Sequence, residues 1–562
     1  MKNNNIKTLV VLIICFTAYK PSIAQFSRYV ISLKNKSGNP YSISDPSKFL
    51  SSRALLRRTR QKILIDSTDL PIVPAYLDSI RSAGSLSILN VSKWLNQVCI
   101  YTTDPATLQK INNFTFVNAV NPVRKPLRIS DPNNKFDPPL TPFLAYEPKK
   151  VMGNYYDYGN SYAQIHIHEG EYLHNNGFHG EGMLLAVIDA GFFHYLSNPA
   201  FDSIRNNNQI LDTYDFVNNK SSVNEEFEHG MNCLSIIASN WPGQIVGSCP
   251  KASYYLYKSE DVNSEYPIEE QNWIAAAERA DSIGVDVLST SLGYTTFDNP
   301  VFNHSYADMN GTTTMIAKAN VLAAKKGMIS VVAAGNDGNN TWHYISTPAD
   351  ADNILTVGAV NTAGQVATFS SYGPTSDGRI KPDVASVGEG TAIVRSNNMV
   401  TFGNGTSFAT PNIAGLTTCL WQAFQDFTNL EIIDAIKRSS SIYTMPDNRI
   451  GYGIPNFHTA YSILLQQRNA RNVIDLGGNS IKVYPNPFHS TFTVTVLPKT
   501  TGTATINIYD ASGKLFDSKI INVASGQQQN IMFDKNPSLS HGIYSLKYDD
   551  GTNHKTIKIM KQ

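Results

Sequence analysis

The stretch Gly403-Asn404-Gly405-Thr406-Ser407-Phe408-Ala409-Thr410-Pro411 decides how this chain of 562 residues is read. A glycine-rich turn here delivers a serine into an apolar helix, expected over Ala409 to Gln425. At ordinary residue frequencies of about 6% each, five specified positions recur by chance in a chain this long only about once in a few thousand. A simple cap role for Thr406 or Ser407 explains one residue and leaves the glycines, Ala409 and Pro411 without a reason.

Around that stretch, from about 151 to 466, apolar strand runs alternate with amphipathic helices. Strands are expected at Met183 to Ile188, Ser253 to Tyr257, Val285 to Ser289, Met328 to Val332 and Ile354 to Val357, and helices at Asn232 to Ser239, Glu269 to Ile283 and Thr314 to Lys326. Strands apolar on both faces and separated by helices make an α/β region, a parallel sheet flanked by helices. Sites in such sheets gather at the carboxyl ends of the strands. Two segments suit that place: Val187-Ile188-Asp189-Ala190-Gly191, an acid ending a strand, and Glu228-His229-Gly230-Met231-Asn232, a histidine opening a helix. Alone, the first reads equally as a turn cap and the second as a structural histidine.

The flanks differ in character. Residues 26 to 123 mix strands and helices as a small α+β unit, residues 124 to 150 hold six prolines and no periodicity, and residues 473 to 562 are short alternating segments between turns, an antiparallel β-sandwich. At the N-terminus, Lys2 and Lys7 precede an apolar run from Leu9 to Phe16 and then Ser22-Ile23-Ala24, the pattern of a signal peptide spanning 1–24. That run is far short of the about 20 residues a membrane anchor requires. No other stretch is long and apolar enough, so no transmembrane segment is expected in the mature form.

Lys plus Arg number 46 and Asp plus Glu 45, which gives no electrostatic reason to expect nucleic acid. The basic run Arg57-Arg58-Thr59-Arg60 accordingly reads as a solvated helix face. Five cysteines are too few for a disulfide framework; one pair, Cys233 with Cys249, is compatible with export, and at least one of Cys233, Cys249 and Cys419 stays unpaired. Asp308 and Asn310 offer oxygens of the kind structural Ca²⁺ takes, although a plain surface loop is the preferred reading, and His166-x-His168 reads as structural.

Together the three segments resemble the subtilisin-like serine peptidases, in which Asp, His and Ser follow in that order. The family's strand-ending Asp falls on Asp189, its His-Gly helix start on His229-Gly230, and its Gly-Thr-Ser-x-Ala-x-Pro box on Gly405 to Pro411. Gly247 to Ala252, Ser289 to Gly293 and Gly451 to Asn456 resemble further family elements. The resemblance implies that Ser407 is the nucleophile, His229 the general base, Asp189 the group that orients and stabilises the imidazole, and Asn336 an oxyanion donor beside the Ser407 backbone N–H. It implies that Ser291, Leu292 and Gly293 pair with substrate backbone, while Ala333, Ala334 and Gly335 wall a pocket. No metal or cofactor is required for such catalysis.

Residues 25–123 resemble the inhibitory, chaperone-like propeptides of that family, which makes 124–150 the processing region and 151–466 the catalytic domain. Residues 473–562, with Val483-Tyr-Pro-Asn-Pro-Phe488 and Gly542-Ile-Tyr544, resemble type IX secretion sorting domains. The expected partners are protein or peptide substrates, the chain's own propeptide and the secretion machinery, and the expected place is outside the cell or on its outer surface. Two positions depart from the family pattern: Cys249 replaces the usual Ala, and Cys233 stands four residues after His229. A non-catalytic binding scaffold is the competing reading, and it has no need of these four catalytic positions together.

Overall fold

The run Leu184-Leu-Ala-Val-Ile-Asp189 is buried at all six positions, which a strand achieves only when both faces of its sheet are covered. It is an interior strand of a seven-stranded parallel sheet in a computed structural model that describes residues 26–125, 153–225, 227–475, 480–489, 491–533 and 540–562. The expected signal peptide, 1–24, and nearly all of the expected linker lie outside the described residues.

We number the strands of the N-terminal α+β unit β1 (Arg28–Leu33), β2 (Ser87–Ser92), β3 (Gln97–Tyr101) and β4 (Val117–Arg124). The large sheet comprises β5 (Leu184–Asp189), β6 (Ile210–Asp215), β7 (Ser253–Lys258), β8 (Val287–Thr290), β9 (Ile329–Ala333), β10 (Leu355–Val360) and β11 (Val384–Val387). Its order is β11-β10-β9-β8-β5-β7-β6, every neighbouring pair parallel. The order reverses at β5, so a crevice opens at its carboxyl end, at Asp189. Four helices matter below: α1 (Ser52–Arg60), α2 (His229–Ala238), α3 (Ile268–Ile283) and α4 (Thr406–Ala423). The helix α4 is buried from Thr406 to Trp421 and packs against β8 to β11, while α3 covers the opposite face.

The edge strands β6 and β11 and the hairpin Glu389–Val394 with Val400–Asn404 were not expected from the sequence. The reason is visible in β6, Ile-Leu-Asp-Thr-Tyr-Asp, which is mostly half-buried at the sheet's edge and lacks an apolar run. The helix Phe457–Asp475 runs through residue 466, so the chain leaves this region on a continuous helix. The last region forms two antiparallel sheets of three and four strands closed on a common core that includes Phe488, Val494, Ile506 and Leu546, a β-sandwich. Among the described residues no helix is long and apolar enough to cross a membrane.

The N-terminal α+β unit is an antiparallel sheet, β2-β3-β1-β4, that lies against α3. There the buried Glu278 carboxylate accepts from Ser92 Oγ (2.5 Å), Lys93 N (2.8 Å) and Trp94 N (3.0 Å). Burial pushes Glu278 up to about 7, against the pull of Lys93 and these donors.

A second attachment corrects the reading of the basic run. Arg57 and Arg58 are not a solvated face: they are 5% and 1% exposed. Both reach the buried Asp281 on α3; Arg58 also holds Asp69 at 2.7 Å, and Lys326 closes on Asp69 at 2.8 Å. Arg57 Nη1 and Nε donate to the carbonyls of Val285 and Lys326, and Arg53 pairs with Asp286 at 2.5 Å. These groups lie just before β8 and β9, so α1 grips the amino ends of the strands, opposite the crevice. Arginine chemistry on a helix reads the same from sequence whether it meets water or a carboxylate on another unit.

Candidate active site

The nucleophile candidate is positioned by its turn. Gly405 has φ +147°, a backbone favouring glycine, and lets the chain enter α4 with Ser407 at the second helical position. The backbone of Ser407 is pinned by Ser291, whose Oγ donates to the Ser407 carbonyl at 2.8 Å, while Ser407 Oγ donates to the Ser291 carbonyl at 3.3 Å.

The histidine opens α2. Its neighbour must be glycine, since a Cβ at Gly230 would stand 2.6 Å from the Gly191 carbonyl oxygen and 2.9 Å from Asp189 Cβ. That close approach brings His229 Nδ1 to Asp189 Oδ1 at 2.6 Å, and the same oxygen accepts from Ala190 N at 2.7 Å. Asp189 is wholly buried and His229 nearly so. Burial, the largest single influence, disfavours the imidazolium, but the Asp189 charge, the neighbouring Cys233 and the Asp189 hydrogen bond together outweigh it and hold His229 well above its ordinary 6.5. Cys233 Sγ lies 4.0 Å from His229 Nδ1 and 3.4 Å from the Ser407 carbonyl, and burial followed by the Asp189 charge pushes the thiol up.

Asn336 follows β9 and faces the same turn. Its Oδ1 accepts from Thr406 N (2.8 Å) and Thr406 Oγ1 (2.9 Å), which fixes the amide so that Nδ2 is the end left toward Gly405. Ser291, Leu292, Gly293, Ala333, Gly335, Asn336 and Ser407 all line one cleft of about 430 Å³. Ala334 does not: it is buried in a separate cluster with Ala317, Ile345 and Ile354, because successive residues of a strand face opposite ways. The expected wall therefore reduces to Ala333 and Gly335. Sequence reading missed Glu260, Glu265, Phe297, Asp298 and Ser346, which complete the cleft. They lie on the loops after β7, β8 and β9, which carry no periodicity to place them.

The remaining expectations resolve simply. All four described cysteines are free, buried thiols, and Cys233 is not partnered with Cys249, whose sulfur faces the His179 carbonyl at 3.6 Å. Asp308 caps its own turn through Ser305 N and Oγ, both at 2.7 Å, and Asn310 Oδ1 accepts from Thr312. His168 is buried between the Pro455 carbonyl and Ser386 Oγ, while His166 meets Glu171, so the two do not converge.

Three family models match successive regions of the chain. Residues 180–453 match the subtilase family, residues 28–137 the peptidase S8 propeptide domain of Bacteroidota, and residues 482–562 a secretion system C-terminal sorting domain. The chain is 28% identical over 335 residues to a thermophilic serine proteinase of Bacillus sp. (strain AK1), covering 59% of this chain and 72% of that protein. It is 29% identical over 303 residues to the serine protease AprX of Bacillus subtilis (strain 168), covering 49% and 64%. The crystal structure of MycP1 from Mycobacterium smegmatis aligns with 58% of this chain and 90% of its own at 20% identity and a TM-score of 0.44. Residues 180–453 are a subtilase domain, and the protein is a subtilisin-like serine protease, a hydrolase, with a peptidase S8 propeptide domain before that region and a secretion sorting domain after it.

Proposed function

We propose that the protein is a secreted endopeptidase that cleaves protein substrates through Asp189, His229 and Ser407 and an acyl-enzyme intermediate. The observation that carries this is the 2.6 Å bond from His229 Nδ1 to Asp189, on an imidazole beside the helix start that bears Ser407. A serine hydroxyl is a weak nucleophile, so His229 takes its proton through the other ring nitrogen as Oγ attacks the carbonyl. Asp189 keeps Nδ1 protonated and stabilises the imidazolium without accepting the proton. His229 then returns the proton to the leaving amine, and water repeats the sequence on the acyl-enzyme.

The Ser407 backbone N–H and Asn336 Nδ2 would bind the oxyanion, a role supported by the orientation Thr406 imposes on the amide. Asn336→Ala is expected to lower kcat by about 10² to 10³, the scale found on removing such a donor from a related enzyme, with KM nearly unchanged. Michaelis–Menten kinetics on a peptide amide check it; a loss confined to KM would remove Asn336 from this role. Because His229 must be neutral to act as base, and Asp189 holds it raised, kcat/KM is expected to climb with pH through an inflection above 6.5. A pH profile already flat below that value would contradict the assignment.

Ser291, Leu292 and Gly293 on one side and Ala333 and Gly335 on the other are the proposed substrate-binding edges. The region up to about residue 123 is proposed to inhibit and chaperone the enzyme until cleavage within 124–150, and the sorting domain to direct type IX export to the outer surface or beyond. The test is a fluorophosphonate probe on the purified protein with mass spectrometry of the tagged peptide and of the new N-terminus. Tagging at Ser407 with an N-terminus inside 124–150 is expected; a folded, processed protein that takes no tag would make the chain a binding scaffold.

A further inference from the structure

The cleft that holds Ser407 is one-sided in charge. Glu260, Glu265, Asp298 and Asp337 line it and, among the described residues, no Lys, Arg or His does. Carboxylates of one sign around a concave, low-dielectric surface focus a negative potential. Neighbouring phenols register it: Tyr294 is pushed well above its ordinary value by burial and then by Glu260 and Glu269, and Tyr266 is raised by burial and then by Asp298.

A second, independent feature points to a ligand. Ser346 lines the same cleft, is 3% exposed, and its Oγ has no hydrogen-bond partner. The hydroxyl lies between the two proposed substrate edges, since an added Cβ would meet it at 2.1 Å from Gly293 and at 3.2 Å from Gly335. A buried hydroxyl left unpaired is costly unless a bound group completes it. A third feature is a cation held on the same loop, just outside the cleft lining. Arg124, ending strand β4 of the propeptide region, sets its guanidinium 2.6 Å from Asp261, the residue after Glu260, and 5.8 Å over the Tyr266 ring.

We propose that the cleft selects protein substrates by a basic side chain, Lys or Arg, whose aliphatic stem lies along Leu292 and Ala333 while its cationic head is held by the carboxylates of Glu260 and Glu265. This rests on the peptidase reading above and gives it a substrate class. A divalent cation is the other ligand such carboxylates fit, as oxygens of Glu260, Glu265 and Glu269 lie within 4.8 Å of one another. Glu269, however, spends both its oxygens on the backbone N–H groups of Asp261 and Tyr266, each at 2.9 Å, and so serves to hold the loop in place.

The test uses the mature wild-type enzyme on fluorogenic peptides identical except for one residue, set in turn to Lys, Arg, Leu or Glu at each position around the cleaved bond. At one position the Lys or Arg peptide is expected to exceed the Leu peptide by about tenfold or more in kcat/KM, with Glu below Leu, and the advantage to shrink between about 20 mM and about 500 mM NaCl. Glu265→Gln is expected to bring the Lys peptide down toward the Leu peptide through KM. Equal rates for Lys, Leu and Glu at every position overturn the proposal while leaving the peptidase reading intact. A preference abolished by millimolar Ca²⁺ and restored by EDTA overturns it in favour of a cation site. Cleavage of none of the peptides overturns the peptidase reading itself, and this proposal with it.

Discussion

Ser407→Ala is expected to abolish fluorophosphonate labelling, to cut peptide hydrolysis by about 10⁶, and to leave the chain unprocessed at 124–150 when it is expressed alone. The magnitude is the scale known for removing a nucleophile from such a triad; oxyanion donors and binding supply what catalysis is left. The fold should be unaffected, because the Ser407 side chain makes one long hydrogen bond, 3.3 Å to the Ser291 carbonyl, and fills no apolar gap. His229→Ala is expected to fall nearly as far, and the double variant no further than either alone, since a nucleophile without its base is already disabled. Retained processing in purified Ser407→Ala would mean that the linker is cut by another protease. Retained hydrolysis would remove Ser407 from the mechanism altogether.

The second large effect is expected at Asp281→Ala, far from the crevice. Asp281 is wholly buried, and although burial alone would raise its pKa, Lys93, Arg57 and Arg58 hold it below the ordinary carboxylate value. Removing it leaves Arg57 wedged between carbonyls with its carboxylate partner gone and leaves Arg58 with Asp69 alone. Breaking one partner from a buried ionic group typically costs about 3–5 kcal/mol, which is about 10² to several 10³ in an equilibrium constant. In the Ser407→Ala chain, a foreign protease that cuts the linker should therefore leave the propeptide co-eluting with the enzyme when Asp281 is present and release it when Asp281 is alanine. Replacing Arg57, Arg58 and Asp281 together by apolar residues should restore much of the grip, because the penalty lies in the unpaired charge. Unchanged co-elution in Asp281→Ala would assign the attachment to Glu278 and the sheet contact instead.

The two effects separate the ends of one sheet. The proposed triad gathers at the carboxyl end of β5, while the grip of α1 sits at the amino ends of β8 and β9. Because that grip does not depend on the linker, the propeptide domain is expected to stay attached after the linker is cut.

What the sequence determined by itself is whatever local spacing encodes. The buried central strands announced themselves as apolar runs because both sheet faces are covered, and β5, β7, β8, β9 and β10 fall within a few residues of their expected places. The turn at Gly405, the glycine after His229 and the acid ending β5 each answer to a steric need of a few neighbouring residues, so they are legible as motifs. Only the tertiary structure decided which side of a residue meets what. It turned Ala334 away from the cleft, buried Arg57 and Arg58 on an acid more than two hundred residues later, gathered the cleft's carboxylates from three separate loops, and set Cys233 beside His229 and not Cys249. Those outcomes depend on contacts between distant segments, and a charge or a small side chain carries no local mark of the partner it will find.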